Sequence, residues 1–274
     1  MDTNAINILC DKFYGKSKRS ISLKYEILFS SPSLDELINC GSQMLQSELS
    51  DFMWQISNRK ILLDLKGLII LEVNALLQNK TLTIENYFDP CVSCMDAWKD
   101  ARRGMITNIM HNKIKYLINQ NKQTVLNQLK ASRREWLPQF NETDVLPKNW
   151  NEAYVQLSED KKFNSVLLGM MKAMNVLVKF NDPELILNLD YKHLNGISIG
   201  LEFYCALRFI IDSHSRVKGG KPDAGDMYDI EHAFYVGLSD YFVTDDKRNY
   251  HILHDLIRPQ CTKIVTSNEF YSLI

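Results

Sequence analysis

The sequence lacks an excess charge, a long apolar run and a cysteine framework, and each absence narrows the field. Lysine plus arginine number 32 and aspartate plus glutamate 33, for a formal charge of −1. No overall field therefore draws the chain to nucleic acid or an anionic membrane, and an anionic partner must be held by local patches. No apolar stretch reaches the roughly 18 residues of a membrane span. The opening residues carry no basic-then-apolar leader, so no signal peptide is expected. Six cysteines scattered over 274 residues do not resemble a disulfide framework. These features together predict a cytoplasmic chain with reduced thiols and no membrane association. No P-loop, dinucleotide fingerprint or nucleophile elbow occurs. There is no fixed-period repeat and no low-complexity tract.

What is present is an ordinary globular composition, 45% apolar and 24% charged. Residues 25–29 form a compact aromatic and β-branched run, a strand candidate. Ser31-Pro32-Ser33 then reads as a helix start. Residues 61–77 are apolar almost all round, which predicts a buried helix. Helical spacing recurs over 95–118, 153–180 and 196–211. After a polar loop at 213–225, a helix is expected over 227–238 and a strand over 241–243. A further helix over 247–256 and a strand over 262–266 follow. Helix and strand alternate at both chain ends, a pattern of parallel sheets with helices on their faces. In such sheets, sites form beyond the C-terminal ends of strands.

Four carboxylates fall at such positions: Asp2, Glu36, Asp229 and Asp246. Oxygen ligands suit Mg²⁺ or Mn²⁺, and one or two protein carboxylates per ion suffice. A carboxylate cluster without His or Cys therefore favours phosphodiester hydrolysis over zinc chemistry. Each acid also has a bland reading. Glu36 closes a capping box with Ser33, unless Ser31 is the cap and Pro32 the first helical residue. Asp226 and Asp229 suit a helix N-terminus through its dipole. Asp245 or Asp246 suits an N-cap.

The order of the four acids carries a family resemblance. MDTNAI resembles the opening Asp-Thr-Asn motif of PIN-domain nucleases, and SPSLDELI their second motif. DIEHAFY, with Asp229 and Ala233, is similar to the third. VTDDK, with Thr244, Asp246 and Lys247, is similar to the fourth, and the closing KIVTSNEFYSLI to the final strand and helix start. The last two acids stand 17 positions apart (246 − 229), the family spacing to within about a residue.

The resemblance implies an α/β fold with a central parallel sheet flanked by helices. It implies a core from residues 1–41 and 200–274 and an all-helical insertion over 42–199. It also implies a Mg²⁺- or Mn²⁺-dependent endonuclease acting on RNA first, with DNA left open, as a toxin, processing or defence enzyme. Metal binding falls on Asp2, Glu36, Asp229 and Asp246, with Asn4 and Thr244 as polar supports. Asp223, Asp226 and Asp245 crowd the same region as substitute or additional ligands, Asp226 first among them, and Glu72 is the fallback for Glu36. An inhibitor protein or a second copy of the chain is a further partner such an enzyme admits.

Basic residues gather beside aromatics, as suits a single strand with stacked bases. Arg102 and Arg103 lie near Trp98, and Arg133 and Arg134 near Trp136. Lys218 and Lys221 flank Gly219-Gly220 before the third motif. Cys91 and Cys94 have metal-ligand spacing but no second pair, so buried free thiols are expected there. His232, three residues after Asp229, shares its helix face and is either packed or set behind a ligand.

Overall fold

The computed structural model describes residues 1, 3–13, 24–38, 42–57, 60–89, 112, 116, 120, 123, 149–159, 162–180, 182–218, 225–256 and 262–274. Helix dominates among them. Among the described residues the expected central parallel sheet reduces to a single two-stranded parallel pair. Strands β1 (Tyr241–Val243) and β2 (Lys263–Val265) are three residues each. They pair in parallel, Tyr241 with Lys263 and Val243 with Val265, across the helix Lys247–Leu256. The run at 25–29 is extended, and Phe29 joins it to the 61–62 segment by an isolated bridge. Phe29 pairs with Ile61, and Leu62 pairs with Phe88.

The N-terminus explains much of the difference. Residues Thr3–Phe13 are a helix, although the resemblance puts the opening motif at a sheet. Ala5, Ile6, Leu9 and Phe13 are buried, a helical rather than alternating rhythm. A strand over this segment would turn half of those side chains to water. The helix instead packs them with Phe29, Phe52, Ile56, Val243 and Phe270 in one apolar cluster.

A second and larger cluster is built around the helix Asn195–Lys218. Phe163, Leu167, Phe203, Phe234, Val73 and Ile252 meet there. Gly200 makes the closest approach possible, because a Cβ on it would stand 2.2 Å from the Phe234 ring. The short helix Gly225–Ala233 is thereby seated against the long one. The first cluster draws on both chain ends and on residues 49–61, while the buried members of the second lie between Leu62 and Ile264. The domain boundary expected at residues 199/200 falls inside the 24-residue helix Asn195–Lys218. The helix expected over 153–180 is instead two helices, Trp150–Glu159 and Lys162–Ala173. A left-handed turn at Asn175, φ 54°, ends the second. Among the described residues, no helix is long and apolar enough to cross a membrane.

Candidate functional site

The acids of the third and fourth motifs come together beyond β1. Thr244 is fully buried where β1 ends, and its N–H donates to Val265 O at 3.0 Å. Its Oγ1 accepts from the Asp246 N–H at 3.2 Å, which turns the chain out of the strand. Asp246 then caps the helix Lys247–Leu256, its Oδ1 accepting from the Asn249 N–H at 2.8 Å. The cap uses only one carboxylate oxygen.

Asn249 sits in the first turn of that helix and its side chain hydrogen-bonds Asp229. Arg248, one residue earlier, reaches Asp229 Oδ2 at 2.6 Å. Burial pushes the Asp229 carboxyl above its ordinary range. The Asn249 and Arg248 hydrogen bonds and the Arg248 charge pull it back, and the neighbouring Asp246 charge pushes it up again.

Two oxygens at this place lack partners. Asn249 Oδ1 is buried without a hydrogen bond, and so is Asp245 Oδ2, whose Oδ1 accepts from the Ser267 N–H at 3.2 Å. Buried orphans also occur at Asn7, Ser158, Asn164 and Ser267. What sets Asn249 apart is that its other amide atom already bonds a carboxylate. An oxygen-rich set with an unmet acceptor fits a hard cation.

Glu36 occupies a separate arm. Its Oε2 meets His232 Nε2 at 3.0 Å, and His232 Nδ1 faces Ser30 Oγ at 3.2 Å. A carboxylate only accepts, so Nε2 carries the hydrogen. Ser30 also contacts Ser33 Oγ, which donates to the Met1 carbonyl at 3.2 Å. His232 and Asp229 are one turn apart on one helix, so this chain ties the second motif and the N-terminus to the third.

Asp2, Arg102, Arg103, Arg133, Arg134, Lys221, Asp223, Cys91 and Cys94 lie outside the described residues. Asn4, Asp226 and Lys218 belong to helices, but their side chains lie outside them too. Among the described residues, no three His, Cys, Asp or Glu side chains gather as a metal cluster. The fallback ligand Glu72 has a structural role instead. It is buried and accepts from the N–H groups of Gly196 at 2.7 Å and Ile197 at 3.1 Å, and from Tyr87 OH at 3.1 Å. It thus satisfies the first turn of the long helix. Sequence reasoning missed Arg248 and Asn249. The signal was there, since an Asp N-cap brings its third following residue back over the cap.

A cleft of about 520 Å³ runs beside β1, lined by Met1, Tyr25, Ser30, Tyr235 and Tyr241 among others. Neither Asp229 nor Asp246 lines it, so cleft and acids are distinct places. Comparison with protein-family models, with curated proteins and with solved structures found no match.

Proposed function

We propose that this chain is a metal-dependent nuclease of the cytoplasm, cleaving phosphodiester bonds in RNA. The observation that carries the reading is the junction beyond β1. There Asp246 accepts from the Asn249 N–H, Asp229 accepts from the adjacent Arg248, and Asn249 offers a buried oxygen with no partner. Asp229, the free oxygen of Asp246 and Asn249 Oδ1 would hold one Mg²⁺ or Mn²⁺. Such an ion supplies Lewis-acid activation of water and of the phosphoryl group. Thr244 fixes the turn that presents Asp246. Glu36, oriented by His232, adds a further acceptor on the neighbouring helix. The motif resemblance to PIN-domain nucleases supports the reading through its acids, not through the sheet. Arg102, Arg103, Arg133, Arg134, Lys218 and Lys221 would hold the strand electrostatically.

The test is incubation with mixed RNA and DNA oligonucleotides, with Mn²⁺ and with EDTA. RNA cleavage that needs Mn²⁺ and is lost in Asp246→Asn is the expected result. Absence of Mn²⁺-dependent cleavage of either polymer would overturn the reading. A second reading is a non-catalytic binding module. It is favoured by the Asp246 cap and the Arg248–Asp229 ion pair, both of which stabilise the fold without chemistry. In that case RNA binding without cleavage would survive Asp246→Asn.

A further inference from the structure

Arg248 stands where helix physics disfavours it. The helix Lys247–Leu256 opens with Lys247 and Arg248 and has no acid in its first turn. The positive end of the macrodipole there favours the opposite sign. The cost is offset by Asp229, which Arg248 holds at 2.6 Å. The pair is uneven, the arginine side chain being 41% exposed and the aspartate 20%. The guanidinium is tied to the site through Asp229 while its side chain reaches the surface. Its fork geometry matches phosphate as well as carboxylate.

We propose that Arg248 is the resident counter-ion of the acidic site, holding Asp229 until a divalent cation enters and then passing to the phosphate of the substrate. This rests on the nuclease reading above and adds to it a gate and a phosphate-positioning residue. The charge logic is simple. Asp229 and Asp246 bring two formal negative charges together, and Arg248 offsets the one on Asp229. A divalent ion replaces that balance and leaves Lys247 and Arg248 at a helix N-terminus, where phosphate is favoured. Cation and arginine therefore compete for the same carboxylate. Asn249 is 6% exposed, and its unpartnered Oδ1 beside that carboxylate is independent of the competition.

The competition has a signature that a merely structural ion pair lacks. Removing Arg248 should tighten cation binding and weaken nucleic-acid binding at once. Mn²⁺ affinity would be read by the loss of the free-ion electron paramagnetic resonance signal. RNA affinity would be read by fluorescence anisotropy of an oligonucleotide in Ca²⁺. Arg248→Gln should bind Mn²⁺ about threefold more tightly, the scale of a partly exposed ion pair. It should bind RNA about tenfold more weakly. Arg248→Lys keeps the charge without the fork, so its Mn²⁺ affinity should stay near wild type while RNA binding falls. If Arg248→Gln binds Mn²⁺ no better than wild type, or binds RNA equally well, the proposal is overturned and the nuclease reading stands. If the wild-type chain takes up no Mn²⁺, the metal site itself fails and the gate with it.

Discussion

Glu72 is a buried acid and Asp229 a partly buried one, and both are pushed toward protonation, with desolvation the first cause in each case. Their surroundings are opposite. Glu72 is answered by dipoles, two backbone N–H groups and a tyrosine hydroxyl, with no cation among those partners. Asp229 is answered by a charge, Arg248, and is opposed by another, Asp246. Fixed backbone dipoles cannot leave, whereas an arginine at the surface can. The difference separates a carboxylate that holds two helices in register from one that can change partners.

The comparison breaks first at Glu72. Glu72→Ala strands the Gly196 and Ile197 N–H groups and the Tyr87 hydroxyl in the core. Each orphan costs about 1–3 kcal/mol, so a loss of about 4 kcal/mol is expected. Calorimetry should then show the melting temperature falling by roughly 10 °C. A fall of only a degree or two would mean that water reaches those donors.

Glu72→Gln keeps the shape and sharpens the contrast through pH. Its amide nitrogen would face a backbone donor, costing about 1–3 kcal/mol. Burial holds the Glu72 carboxyl above the ordinary glutamate range in the folded protein. Its linkage contribution to stability is therefore full below about pH 4.5 and is lost as pH rises through the folded value. The stability gap between wild type and Glu72→Gln should accordingly shrink as pH rises through that window. A gap independent of pH would remove burial as the cause.

The smallest effect is expected at Asp229. Its carboxyl is raised as well, so the charged form is a burden to the apo fold at neutral pH. Asp229→Asn sheds that burden and gives up a partly exposed ion pair worth about 0.2–1 kcal/mol. Thermal melts of the apo protein should show it as stable as wild type or more so. A drop of more than about 5 °C would make Asp229 a second Glu72.

Much of the C-terminal third was legible because its signals are local. The helix Lys247–Leu256 and strands β1 and β2 lie within a residue or so of their sequence expectations. The apolar run at 61–77 gave the helix Leu65–Leu77, with Asp64 as its cap. The Asp246 cap was likewise visible as an alternative. The N-terminal helix is carried by the spacing of Ala5, Ile6, Leu9 and Phe13, which the Asp-Thr-Asn resemblance does not address. The role of Glu72 could not be read locally, since its backbone donors are 124 and 125 residues away. The partner of Glu36 is 196 residues off. Such pairings belong to tertiary packing and leave no trace in local periodicity.

The central claim is that Asp229 and Asp246 form a divalent-cation site, and a Mn²⁺ titration followed by thermal unfolding tests it directly. An ion that binds only the folded chain stabilises it by about 2.7 kcal/mol at a hundredfold excess over the dissociation constant. For a chain of this size that is a rise of roughly 5–10 °C. Wild type should show a saturable rise, and Asp229→Asn and Asp246→Asn should show none. An unmoved wild-type transition, or an equal rise in all three proteins, would contradict the account.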